Sequence, residues 1–168
     1  GRLEREVRPL FEGGSPRPLR ELVILASLVE KEARLEAERP LIAAVYANRL
    51  RIGMGLYADP TIIYGLKLEG RWDGDLRRRD LEAESPWNTY RVAGLPPGPI
   101  CSPGAASLRA AAAPADVPYL YFVSRNDGSH VFSTTLSEHN RNVEIWQRRF
   151  FRERRSAVAN APEPQTPH

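Results

Sequence analysis

Two glutamates one residue apart close an apolar stretch of the chain, Leu25-Ala26-Ser27-Leu28-Val29-Glu30-Lys31-Glu32. On a helix, at about 100° per residue, Glu32 falls between the directions of Leu25 and Leu28. A carboxyl group pushed toward that apolar side is partly desolvated. Desolvation disfavours its charged form and raises its pKa above the ordinary glutamate value of ~4.3. Such a group stays protonated near neutral pH and can act as a general acid. Glu30 points nearer Ser27 and stands four residues before Arg34, the spacing of a helix-surface ion pair worth about 0.2–0.5 kcal/mol. Val23 and Ala26 also flank Glu30, so periodicity separates the two glutamates only weakly. At this step both remain open as structural or surface residues.

Other catalytic patterns are thin. The chain has no His-Glu-x-x-His metal motif, no Cys-x-x-Cys pair and no Gly-x-Ser-x-Gly elbow. Gly94-Leu95-Pro96-Pro97-Gly98 lacks the free amides of a phosphate cradle, because two of its residues are proline. The single cysteine, Cys101, forms no internal disulfide and reads as a small buried or semi-exposed side chain rather than a nucleophile. His130 and His139 fall in different predicted elements, which argues against a metal pair.

The elements that must position these groups follow from hydrophobic period and punctuation. Residues 20–35 read as a strong helix. Pro40 suits the first turn of a second helix, which runs to about Leu50 and ends at Gly53 and Gly55. Residues 56–100 show no sustained period. They are rich in Gly, Pro, Asp and Asn but carry Tyr57, Ile62, Ile63, Tyr64, Trp72, Trp87 and Tyr90, which favours a folded binding region over disorder. Ser102-Pro103 predicts a capped start for a short Ala-rich helix stopped by Pro114. Tyr119 to Val123 and His130 to Ser133 read as a hairpin around Asn126-Asp127-Gly128. Leu136 to about Arg155 returns to a helical pattern. The expected class is α+β: mostly helical, with a small antiparallel hairpin and a long irregular substrate-binding region.

Size and composition allow one ordinary domain. The chain has 168 residues, 42% hydrophobic and 27% charged. Net charge is +3 and pI about 9.3, which suits an acidic polymer: nucleic acid, a membrane surface or the anionic cell wall. The basic runs, including Arg77-Arg78-Arg79 and Arg148 to Arg155, read first as solvated faces. The longest apolar run, Leu22 to Val29, is far below the ~20 residues a membrane span needs. The chain opens with Gly1 rather than Met, so a fragment is expected, whose anchor or export signal lies elsewhere.

Several segments together resemble the endolytic murein transglycosylase, or YceG-like, family. They are Leu25 to Glu32, Glu38-Arg39-Pro40, Val45 to Met54, Asp59-Pro60-Thr61-Ile62-Ile63-Tyr64-Gly65 and Ser85-Pro86-Trp87-Asn88-Thr89-Tyr90. Gly94 to Ile100, Pro103-Gly104, Tyr119 to Val123, His130-Val131-Phe132 and Glu138-His139-Asn140 follow in order. Each piece is weak; the ordered set, across roughly residues 20–150, is strong. The resemblance implies 20–155 as the catalytic domain; the weak helical pattern and Gly-Gly-Ser-Pro-Arg-Pro break of residues 1–19 read as a helix or linker from an upstream region, and the Ala-, Pro- and polar-rich residues 156–168 as a disordered tail. It implies an enzyme facing the periplasm and held in the inner membrane by an anchor that this chain lacks. Its substrate would be nascent glycan strands of peptidoglycan, cut internally, with peptidoglycan synthases as partners. No cofactor and no metal are expected. In the family the second glutamate of Glu-Lys-Glu is catalytic, which lands on Glu32.

That chemistry needs only one key carboxyl group, where ordinary glycosidases use two. Glu32 would protonate the leaving oxygen and then take the proton of the muramic ring's own 6-hydroxyl, closing a 1,6-anhydro sugar. Sugar binding needs hydroxyls, amides and aromatic faces. Asn48, Asp59, Thr61, Tyr64, Asn88, Thr89 and Tyr90 are the candidates. Asp59-Pro60 equally suits a turn, Asn88 a turn or cap, Asn48 a local bond, and Tyr64 and Tyr90 the core. His130 with Glu138-His139-Asn140 either completes the cleft wall or pins the hairpin to the last helix, the latter preferred. Three other readings are weaker. A nucleic-acid-binding or cell-wall-binding module would suit the pI, but the arginines gather on no single element and no nucleic-acid motif appears. A pyridoxal-phosphate lyase would need a Schiff-base lysine and a phosphate cup, and the chain offers only Lys31 and Lys67. A catalytically dead scaffold is at odds with the intact Glu32 segment.

Overall fold

The structure is a computed structural model that describes residues 17–159, together with 1, 5 and 8–10. The expected helix or linker at 1–19 lies mostly outside the described residues, as does the tail from 160 onward. Residues 156–159 continue the last helix instead of starting a tail.

Helix α1 (Leu19–Glu32) is the centre of the fold. Its Leu22, Leu25, Ala26, Leu28 and Val29 are all fully buried. It packs on α2 (Arg39–Ile52), α3 (Asp59–Leu68) and α5 (Ala105–Ala112), with the short α4 (Arg78–Glu82) lying in the loop region between α3 and α5. A helix so enclosed must be apolar nearly all round, and this one is until its last turn. Ser27, the one polar residue in that run, is satisfied at both ends. Its Oγ donates to Ile24 O and accepts from Ile100 N at 3.1 Å, tying the 94–100 loop to the core.

α1 stops at Glu32, three residues short of the sequence expectation. Ala33-Arg34-Leu35 are good helix formers, so no local signal ends the helix. Ala33 instead turns extended and buries itself, and the chain then enters a 3₁₀ turn at Glu36–Glu38. Tertiary packing overrides propensity and leaves Glu32 as the last helical residue.

α2 has Pro40 in its first turn and ends at Gly53, whose φ of 72° is the left-handed cap that glycine takes without strain. Two helices, α3 and α4, break the stretch 56–100; the rest of it has no regular structure. Asp59-Pro60 opens α3 rather than forming a free turn, since proline at a first helical turn costs no hydrogen bond. α5 begins at Ala105 with Gly104 as its cap, two residues later than Ser102-Pro103 suggested. β1 (Tyr121–Ser124) pairs antiparallel with β2 (His130–Ser133) in the register Phe122↔Phe132 and Ser124↔His130. The helix α6 (Leu136–Val143), a π-helical stretch Glu144–Arg149 and α7 (Phe150–Ala159) follow. The α+β expectation holds: a mostly helical domain with one hairpin.

Candidate active site

Glu32 ends α1 facing a pocket whose other walls are Arg34, His130 and the hairpin turn, Ser124 to Gly128. Its carboxyl group forms no hydrogen bond or ion pair with any described residue. Burial pushes its pKa up; Asp59 pushes the same way, while His130, Arg49 and Arg34 oppose. The C-terminal end of a helix carries negative partial charge, which also disfavours a carboxylate there. A half-buried acid, bonded to no described residue and aimed into a pocket, is equipped to hold a proton and to give it to a ligand.

Glu30 has a different fate. It accepts a hydrogen bond from Ser107 Oγ and pairs with Arg39 at 3.8 Å, so it fastens α1 to α5 and α2. The expected partner Arg34 is not used; the end of α1 at Glu32 takes Arg34 off the helical register.

The hairpin wall is held from two sides. Glu38 receives the His130 backbone N–H at 3.1 Å and lies 3.0 Å from His130 Nδ1. Both side chains are largely buried. His130 thus pins the hairpin to the 3₁₀ turn, and the last helical segment holds the hairpin from the other side through other residues. Asn126 Nδ2 donates to Trp146 O at 2.7 Å and Gln147 Nε2 to Ser124 O at 3.1 Å, bracing the turn on the π-helical stretch. His139 stacks on Tyr121 at 4.8 Å between ring centroids, and Glu138 completes the Thr135 cap of α6.

The candidate binding residues divide. Asp59 and Tyr90 belong to the neighbourhood of Glu32. Tyr90 donates its hydroxyl to Asp59 Oδ1 at 2.6 Å, and its pKa is raised by burial and by that bond. Thr61, Thr89 and Asn88 lie inside the fold. Thr61 Oγ1 donates to Ala58 O at 2.8 Å and meets Thr89 Oγ1 at 3.0 Å. Thr89 Oγ1 accepts from Ala58 N at 2.9 Å. Asn88 Nδ2 donates to Leu81 O at 2.9 Å and Ala83 O at 2.7 Å, and its Oδ1 accepts from Tyr90 N at 3.0 Å. These three shape the wall from behind and offer no free group to a ligand. Asn48 commits its amide to Val117 O and Tyr119 O, each at 2.9 Å, holding the approach to β1 on α2. Tyr64 packs edge-on against Trp87 at 4.9 Å and lines a separate recess beside Lys31.

Three residues outside the sequence-based set join the site. Arg49 is buried, donates to Leu120 O at 2.7 Å and to Leu56 O, and lies over the rings of Tyr57 and Tyr121 at 5.6 and 5.7 Å. Tyr46, one turn earlier on α2, is fully buried, and its hydroxyl has no partner among the described residues. Burial raises its pKa, and the charge of Glu32 adds to the effect. Tyr57 sits at φ 49°, a backbone region rare for a tyrosine, and its exposed ring lies 5.4 Å from that of Tyr90. The i, i+3 spacing of Tyr46 and Arg49 puts them on one face of α2, a signal present in the sequence; the strain at Tyr57 has no sequence signal.

The model of the YceG-like family matches residues 4–145. The chain belongs to the YceG-like family. It is 44% identical over 123 residues to an endolytic murein transglycosylase of Bacillus subtilis (strain 168), a match covering 73% of this chain and 33% of that protein. It is 33% identical over 129 residues to an endolytic murein transglycosylase of Streptococcus pneumoniae (strain D39), covering 73% and 23%. A crystal structure of a yceG-like protein from Listeria monocytogenes superposes with a TM-score of 0.74 at 38% identity, over 83% of this chain and 44% of that one. The chain thus spans about a third or less of the length of these curated relatives. In this YceG-like domain the Glu32 pocket and its hairpin wall lie within the matched residues, as does α3, whose Asp59 acts on Glu32.

Proposed function

We propose that this domain is the catalytic part of a lytic transglycosylase that cuts peptidoglycan glycan strands internally, at the bond between N-acetylmuramic acid and N-acetylglucosamine. One observation carries the reading: the carboxyl group of Glu32, its pKa pushed up by burial, bonded to no described residue and facing a pocket. The two relatives named as endolytic murein transglycosylases support it. Glu32 gives its proton to the glycosidic oxygen as the bond from C1 of the muramic ring breaks. The resulting carboxylate takes the proton of the same ring's 6-hydroxyl while O6 bonds C1. The product is a 1,6-anhydro end, and Glu32 is protonated again. The ring's own hydroxyl replaces water, so no second carboxylate has to activate one. Asp59, already engaged by Tyr90, serves binding and the local field. The domain works outside the cytoplasm, on strands made by membrane synthases, in a protein held at the inner membrane by a segment outside this chain.

The test is digestion of uncrosslinked glycan, with product ends read by mass spectrometry. Wild type yields anhydro-muramic ends. Glu32→Gln lowers their formation by about 10²–10⁴-fold, the usual contribution of a positioned acid–base group, with an unchanged circular dichroism spectrum. Reducing ends would mean hydrolysis with Asp59 as second carboxylate. Full activity of Glu32→Gln would remove the assignment.

A further inference from the structure

On the far side of Lys31 from the Glu32 pocket lies a second recess, between α1, α3 and the 94–100 loop. Its α3 wall is a stripe at i, i+3, i+4 and i+7: Pro60, Ile63, Tyr64 and Lys67. Trp72 and Ile100 complete it. Lys31 lines both cavities, so the two meet at the residue before the catalytic glutamate.

Lys31 and Lys67 are the only lysines in a chain whose other 22 Lys-or-Arg positions are arginine, and both border this one recess. Neither forms an ion pair with a described residue. The neighbouring acids are engaged elsewhere: Glu30 with Arg39, Asp59 with Tyr90, and Glu69 with Arg71. Two unopposed ammonium groups beside an indole and a phenol ring make a site for a ligand with an apolar sugar face and free carboxylates. Ammonium groups on flexible stems suit carboxylates whose positions vary, where a guanidinium fork would demand one geometry. The wall is also rigid. Gly65 lies so close to Trp87 that an added Cβ would sit 2.8 Å from the Trp87 Cβ, and Tyr64 meets the same indole edge-on.

Resting on the glycan-cleaving reading, we propose that this recess is a subsite for the peptide-bearing part of the strand: Trp72 and Tyr64 take the sugar face, and Lys31 and Lys67 take stem-peptide carboxylates. Strands with stem peptides are then held more tightly than stripped ones, and the difference is electrostatic.

The experiment measures binding of the Glu32→Gln chain to uncrosslinked strands with stem peptides and to the same strands stripped by amidase. Peptide-bearing strands bind about 10-fold more tightly, as charge-assisted contacts at an exposed site allow, and added salt narrows the gap. Lys67→Glu closes the gap and leaves stripped strands unaffected, while Trp72→Ala weakens both. A gap that survives Lys67→Glu, or one that salt leaves unchanged, overturns the subsite. A separate digestion with the wild-type chain tests the activity itself. If that chain forms no anhydro ends while the binding gap still closes on Lys67→Glu, the cleavage reading fails and the recess stands as an acidic-glycan site.

Discussion

Two regions beside Glu32 are fixed by different physics: the hairpin, which walls its pocket, and the start of α3, whose Asp59 acts on its charge. The hairpin wall has neutral braces at Asn126 and Gln147 but is also gripped by a carboxyl group, with Glu38 holding His130 through its ring and its backbone. The α3 side hangs on neutral groups alone: Thr61 and Thr89 meet each other and Ala58, and Asn88 bonds the carbonyls of residues 81 and 83. Neutral bonds inside the fold keep one wall constant whatever the pH. The Glu38–His130 pair beside Glu32 makes the hairpin wall part of the site's electrostatics, and His130 is the first of the groups that oppose the effect of burial on Glu32. Residues that look like ligand-binding groups can therefore serve best as framework, and a framework pair can tune the acid.

The largest effect that sharpens this contrast is on the proton itself. Activity should decline by about 10²-fold or more as pH rises through the elevated pKa of Glu32, because the acid form is the one that acts. The same shift has a stability consequence. The folded state binds this proton more tightly than the unfolded chain, so between the two pKa values stability falls as pH rises. Glu32→Gln should therefore gain thermal stability relative to wild type as pH is raised from 4 toward 8; a constant difference across that range would deny the burial argument.

Next comes the neutral wall. Asn88→Ala removes the donor to Leu81 O and Ala83 O and the acceptor for Tyr90 N, and should cost about 3 kcal/mol in urea unfolding at every pH. Glu38→Ala should cost about 2 kcal/mol and, unlike Asn88→Ala, should move the pH limb of activity by freeing His130. Equal pH limbs in the two variants would erase the distinction between the walls. The smallest effect is expected for Tyr90→Phe, about 0.5 kcal/mol or less because the residue is exposed at the rim, measured alongside a changed KM.

Much of the architecture was legible because it is written in local chemistry. The apolar period of Leu22 to Val29 marked the central helix, Pro40 and Gly53 its successor, and Asn126-Asp127-Gly128 the hairpin turn. α3 was harder. Asp59-Pro60 signals a turn as readily as a helix start, and what decides is the packing of Ile62 and Gly65 against the core and Trp87. For the site, direction on a helix favoured Glu32 over Glu30 only weakly, and the ordered set of family-like segments singled it out. Neither was enough for Thr61, Asn88 and Thr89, whose residue types fit a sugar-binding face and an internal lattice equally well. Arg49 was not legible, since nothing local says that an arginine will be buried against two tyrosine rings.

Sequence alone determined the mostly helical character of the chain and its hairpin, and inclined one carboxyl group toward an apolar face, because these depend on the period of side chains along a single element. Where α1 stops, which polar groups face inward and which charges surround Glu32 were decided only by the tertiary structure. Those features arise from burial and from hydrogen bonds between residues far apart in the chain, which no local pattern encodes.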